Sequence, residues 1–380
     1  LGRKNKTMMK QLIALIILVL VAAPTFGQQK ELALNDAVTQ QYRAFYPKSL
    51  SMFSWIPTTD SYTYLDGYTA LMKASVRNSD ASELLNIQEF NEKMNAEMHW
   101  FSGFEWKDKN EFWINDGHSF FSYNIVGQEG TLLHELDGES ENTTFHNGTE
   151  SVAFTKENNV YINTGTGLKV SVTDNEDKNI VSGQAIARSE FGITGGLFWS
   201  PDGGFLAFYQ KDETNVHDYP LLDNSVTPGE LTLIKYPMAG QSSEKAMIGI
   251  YNITNQSTSF IQPREGAENY LTNVSWTKDN KYVVAAEVNR GQNHMWLNVY
   301  DASNGTFIRT MFEEENDKWV EPEHSAYFLE GKSNEFIWIS ERDGYNNLYH
   351  YDFKGELIKQ LTSNEFVVKD ILDYKNGRVF

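Results

Sequence analysis

Three stretches of this chain repeat one sentence. GIYNITNQST, NVYDASNGTF and HYDFKGELI each give an apolar strand end with a tyrosine, then Asn or Asp, a polar turn and a second strand. Their tyrosines, Tyr251, Tyr300 and Tyr351, stand 49 and 51 residues apart. SYNIVGQEGTLL, around Tyr123, is an earlier copy. A second phrase travels with the first: FWSPDGGFLAFY (198–209) and VSWTKDNKYVVAAE (274–287), with YFLEGKSNEFIWISE (327–341) as a looser version. Each has an aromatic-ended strand, a turn built on Asp-Gly, Asp-Asn or a related pair, and a following apolar strand. Asp-Gly supplies the positive φ of a tight hairpin without steric cost. A period therefore holds about four strands in roughly fifty residues, the size of a propeller blade. Such a sheet is apolar on both faces and is stable only between neighbours. The competing reading is a run of independent hairpins or a sandwich, and a sandwich does not repeat at this spacing.

The aromatic content of 13% and the 27 glycines agree with an all-β chain. The expected fold is an all-β propeller over residues 46–380, preceded by a short helical segment at 28–45, with ELALNDAVTQQYRAF (31–45) as its helix. About six or seven units fit, and VVKDILDYKNGRVF carries Phe380 into a strand, so the ring is expected to be incomplete. Ahead of these, Lys10 and the apolar run LIALIILVLVAA (12–23) read as a secretory signal peptide from Met8 or Met9 to about Gly27, with upstream residues before it. A bilayer span needs about 20 apolar residues, so an uncleaved anchor is the alternative reading of the run. A periplasmic or secreted protein is expected, and with no cysteine after the run a lipid anchor is not.

The formal net charge of −19 excludes nucleic acid as a partner, since phosphate binding needs clustered Lys and Arg. There is no cysteine, hence no disulfide, thiol nucleophile or thiolate metal site. The eight histidines show no HxxxH or HxH spacing and read as solvated or hydrogen-bonded loop residues, so no metal and no cofactor is expected. No GxSxG, phosphate loop or dinucleotide fingerprint occurs. Ser200 in FWSPDG takes the place of Thr277 in the next copy, which makes it a blade position. With 51 acids in the chain, most acidic pairs are solvated loop charges.

One segment is not needed by any sheet: ARSEFGITGG, directly before FWSPDG. Taken with YPMAG (236–240), LTNVSWTKDN, AAEVNRGQN, KWVEPEH and WISERDGYNNLYHYD, it closely resembles the N-terminal β-propeller of dipeptidyl peptidase IV and the prolyl tripeptidyl peptidases, in the form found in secreted enzymes of Bacteroidetes-type bacteria. The resemblance is dense over 191–362 and looser before it. It implies an eight-bladed propeller covering a C-terminal α/β-hydrolase domain with a Ser-His-Asp triad, and cleavage of short peptides after a penultimate proline or alanine. That hydrolase domain lies beyond this chain, which alone should be inactive. The family carries a Glu-Glu pair before FG that binds the substrate's free α-ammonium group. The matching positions here are Ser189 and Glu190, so one carboxylate remains, and dipeptidyl versus tripeptidyl specificity stays open. Arg188 beside it offers a partner for Glu190. The arginine that animal members use on the substrate carbonyl has no clear counterpart around 141–154. The implied partners are short peptides with a free N-terminus, the hydrolase domain of the same protein, and a second copy in a homodimer. The alternative is a stand-alone propeller that binds a peptide or protein without catalysis.

Overall fold

The computed structural model describes residues 31–47, 49–261, 263, 269–332 and 335–380. The apolar run at 12–23 lies outside them. The described chain forms two compact units that divide after Ser51. The first contains a helix, Leu34–Thr39, shorter than the expected 31–45 and with no buried residue. The second is built of antiparallel sheets met one after another along the chain. Among the described residues no helix is long and apolar enough to cross a membrane.

Sheet I pairs Ser51–Trp55, Ser61–Asp66, Ala70–Ser75 and Asn78–Asn86 in sequence order. Sheet II does the same with Gly103–Trp106, Glu111–Asn115, Ser119–Asn124 and Glu129–Glu135. Sheet III follows with Ser140–His146, Ser151–Lys156, Asn159–Asn163 and Lys169–Ser171. Sheet V comprises Tyr270–Trp276, Tyr282–Val288, His294–Asp301 and Phe307–Glu315. Sheet VI comprises Tyr327–Phe328, Glu335–Ser340, Asn347–Asp352 and Leu357–Gln360. A two-stranded pair, Tyr374–Lys375 with Arg378–Val379, comes last.

Sheet IV departs from this meander. Its edge position is shared by two short strands, Ile180–Ser182 and Leu197–Trp199, which both pair with Phe205–Asp212. Lys245–Asn252 and Ser257–Phe260 complete it. A separate hairpin, Asp218–Asp223 with Glu230–Lys235, is inserted between Phe205–Asp212 and Lys245–Asn252.

Alternation within the second strands shows why the sheets must stack. Ala207 and Tyr209 enter a core shared with Leu271 and Val283 of sheet V, while Leu206 and Phe208 enter one shared with Val160 and Ile162 of sheet III. Val284 and Ala286 face Phe336 and Trp338 of sheet VI, whose Ile337 and Ile339 turn the other way, toward Ile371. Each strand is thus buried on both faces, and each buried Leu, Ile or Phe contributes about 1.5–3 kcal/mol only because a neighbouring sheet is present. The repeated tyrosines Tyr123, Tyr251, Tyr300 and Tyr351 all lie on third strands and are all buried.

The turn phrase is equally regular. Ser200 Oγ donates to Asp202 Oδ1 at 2.8 Å and accepts from the Phe205 amide at 2.9 Å, while Thr277 repeats both contacts with Asp279 and Tyr282 at 2.8 and 3.1 Å. The tryptophan before each turn donates its indole N–H to the preceding sheet: Trp276 to the Phe198 carbonyl at 3.0 Å, Trp199 to the Thr144 carbonyl at 3.2 Å. Trp106, in FEWKDKNEF, is a third copy, with Lys-Asp-Lys-Asn in place of the Ser-Pro-Asp-Gly turn. Trp55 holds the same place in sheet I, yet it is 52% exposed, its ring set edge-on against Phe53 and Tyr62.

Two further departures from expectation concern helix and histidine. A helix at Ile87–Met94, capped by the Asn86 side chain accepting from the Glu89 amide, links sheets I and II and buries Phe90. His134, His146, His294 and His350 are strand residues, not loop residues.

Candidate functional site

The segment that no sheet needs is an excursion inside the edge of sheet IV. Gly183 donates its amide to the Tyr209 carbonyl at 2.7 Å, and the Tyr209 amide donates to the Gly196 carbonyl at 2.9 Å. One residue of the second strand therefore ties both ends of loop 184–195. Glycine is required at the pinch: a Cβ on Gly196 would stand 2.4 Å from the Gln184 carbonyl oxygen.

Three apolar side chains, Ile186, Phe191 and Ile193, peg the loop into the cores on either side. Phe191 packs 5.1 Å from Tyr270. Between the pegs, Ser189 and Glu190 are exposed. The pattern follows from chain geometry, because burying Ile186 and Phe191 in a short turn forces the residues between them outward. The turn itself is bonded from the Ser189 amide to the Ile186 carbonyl at 3.1 Å and from the Glu190 amide to the Ala187 carbonyl at 3.0 Å.

Arg188 does not serve as the partner of Glu190. Its guanidinium donates to the Lys235 carbonyl and lies 4.8 Å from the centre of the Tyr236 ring. A planar, weakly hydrated cation prefers an aromatic face and a carbonyl to an exposed neighbouring carboxylate.

The acids that do gather at Glu190 come from the stretch WVEPEH. Partial desolvation, and then the neighbouring carboxylates of Glu323, Glu190 and Glu341, hold the carboxyl of the exposed Glu321 above its ordinary range. Asn273, buried in sheet V, joins the two segments: its amide donates to the Pro322 carbonyl at 2.9 Å and to the Phe191 carbonyl at 3.4 Å. Contact is so close that a Cβ on Gly192, at φ 68°, would stand 2.1 Å from the Glu323 carbonyl oxygen. Nothing local in KWVEPEH marks its acids for this place. Only tertiary contact places Glu321 and Glu323 near a residue more than a hundred positions earlier.

On its other side, Ser189 lines a cavity of about 460 Å³ with Asn142, Gln184, Arg188, Lys211 and Glu244. Asn142 belongs to the region where an arginine counterpart is lacking, and its amide is occupied by the Thr155 hydroxyl at 2.8 Å. Chemically, the site offers the exposed Glu190 carboxylate on a pegged loop, the Ser189 hydroxyl beside it, the acids of WVEPEH nearby and a polar cavity, an arrangement suited to a cation with hydrogen-bond donors. Among the described residues no group of His, Asp and Glu is placed to hold a metal ion.

Comparison with known proteins agrees with this architecture. The family model of the dipeptidyl peptidase IV (DPP IV) N-terminal region matches residues 105–379. A probable dipeptidyl peptidase 4 of Aspergillus flavus is 24% identical over 94% of this chain and 49% of its own length. A probable dipeptidyl-aminopeptidase B of Penicillium rubens is 27% identical over 69% of this chain and 33% of its own. A solved structure from Bacteroides ovatus, named for dipeptidyl aminopeptidase IV, superposes with a TM-score of 0.76 at 29% identity, covering 86% of this chain and 48% of that one. Porphyromonas gingivalis dipeptidyl peptidase 4 shares the fold at a TM-score of 0.70 and 22% identity, over 90% of this chain and 50% of its own. The chain spans about half the length of the curated dipeptidyl peptidase 4 relatives it matches. With its β-propeller fold and a match over most of its length, the chain belongs to the family of the dipeptidyl peptidase IV N-terminal region.

Proposed function

We propose that this chain is the propeller portion of a secreted or periplasmic serine exopeptidase of the dipeptidyl peptidase IV type. The whole protein releases X-Pro or X-Ala dipeptides, or tripeptides, from peptide N-termini, and its hydrolase domain supplies nucleophile and oxyanion hole. The part described here gates access and anchors the substrate's α-ammonium group through Glu190, with the Ser189 hydroxyl accepting one further hydrogen bond.

The observation that carries this reading is loop 184–195, tied at both ends to Tyr209, pegged by Ile186 and Phe191, and exposing Ser189 and Glu190 between the pegs. A carboxylate at a fixed place turns charge recognition into a ruler that counts residues from the amino end of the substrate. The neighbouring acids Glu321 and Glu323 add negative potential around it. Trp55 supports a ring larger than the six sheets, since its equivalents are each covered by a preceding sheet. The homodimer belongs to the proposal as well, and the exposed Leu222, Leu231 and Leu233 of the inserted hairpin support it.

The test is to express the full-length gene product and assay Gly-Pro and Ala-Ala-Pro chromogenic peptides. Release of chromophore from a free-amine peptide, abolished by a serine-directed inhibitor, is the expected result. A product that folds, binds peptides and hydrolyses none of them favours the stand-alone binding module.

A further inference from the structure

Three consecutive non-glycine residues in the loop are left-handed: Ala187 at φ 50°, Arg188 at 53° and Ser189 at 65°. In that region Cβ crowds the following carbonyl, so such a run persists only where its surroundings hold it. An external contact on the run comes from the Glu244 carboxylate, whose Oε1 accepts the Ala187 amide at 2.7 Å from 57 positions away. Its other oxygen lies 3.8 Å from Lys211 Nζ, which also pairs with Glu213 at 2.9 Å. Lys211 and Glu244 are only 13% and 14% exposed, so both contacts act in a partly desolvated setting where they are strengthened. The next residue, Arg188, is fastened to Lys235 and Tyr236. Both fastenings come from the excursion between Phe205–Asp212 and Lys245–Asn252, the one that carries the exposed hairpin.

We propose that Glu244 is a positioning residue for the ammonium anchor. By holding the Ala187 amide it fixes the left-handed turn that sets where Glu190 stands, and it couples the hairpin-bearing excursion to substrate recognition. This rests on the reading of Glu190 given above. Lys211 keeps Glu213 when Glu244 is replaced, so Glu244→Ala does not strand a buried cation. A glutamine at this position still presents an acceptor oxygen to the Ala187 amide, whereas alanine presents none.

The test uses the full-length gene product, the free-amine chromogenic peptide it cleaves, and the analogue in which the amine is replaced by hydrogen. For Glu244→Ala the expected result is a KM for the free-amine peptide raised on the order of tenfold, with kcat held and the preference for free amine over analogue reduced by the same factor. Glu244→Gln should stay within about twofold of the parent protein. Hydrogen exchange at the Ala187 amide should quicken in the alanine variant alone. The proposal is overturned if Glu244→Ala keeps the parent's preference, if both substrates decline together, or if glutamine fails as badly as alanine. Glu190→Gln in the same assay separates the two readings. If it abolishes the preference while Glu244→Ala does not, only the positioning role is lost; if it leaves the preference intact, the anchor reading fails and this one goes with it.

Discussion

The indole N–H of Trp106 donates to the Thr63 hydroxyl at 2.9 Å, and both residues are buried between sheets I and II. This is the side-chain version of the bond that Trp199 and Trp276 make to backbone carbonyls. Thr63→Val keeps the volume and removes the acceptor, leaving a buried donor unsatisfied, and should cost about 1–3 kcal/mol. Equilibrium denaturation of the variant and parent, read by tryptophan fluorescence, checks it.

Ser200 is the only serine in the sequence followed by Pro-Asp-Gly, and its hydroxyl is wholly occupied by the turn. Ser200→Ala should destabilise the protein by about 1 kcal/mol and leave labelling by serine-directed phosphonates unchanged. Loss of labelling would make it a nucleophile instead of a turn residue.

Gly192 combines a positive φ with a close approach to the Glu323 carbonyl. Gly192→Ala must move the loop or the WVEPEH segment, and should lower stability by at least about 1 kcal/mol. The variant's melting temperature measures the loss, and its discrimination between free and blocked amines should fall with it.

Glu321 gives a pH signature. A carboxyl whose pKa is raised by folding holds its proton to higher pH in the folded state than in the unfolded one. Its stabilising contribution is therefore complete in acid and is lost as pH rises above the ordinary glutamate range through the raised value. Glu321→Gln removes this loss. Its melting temperature should exceed the parent's at neutral and mildly alkaline pH, and the gap should close on acidification.

The repeat was legible because a doubly buried strand writes itself as an apolar run ended by turn residues, and because Asp202 and Asp279 are demanded by the same turn. What stayed hidden depends on contacts across the chain. Phe90 shows that a linker between sheets can be a packed helix, although its eight residues carry too weak a period to stand out from the strands around them. Ser189 and Glu190 were found through resemblance, and the fold explains why they project. Glu244 carried no local signal at all, since its role exists only once Ala187 is folded against it. Likewise Arg188, read as an ion partner for Glu190, was captured by Tyr236, a residue 48 positions away.

The most direct measurement of the central claim is kcat/KM of the full-length Glu190→Gln variant on a free-amine peptide and on its N-blocked counterpart. A charge-assisted contact to an ammonium group contributes about 1.5–3 kcal/mol, so the account predicts a loss of about ten- to a hundredfold on the free amine and little change on the blocked peptide. Equal activity of variant and parent on the free amine, or an equal loss on both substrates, would contradict it.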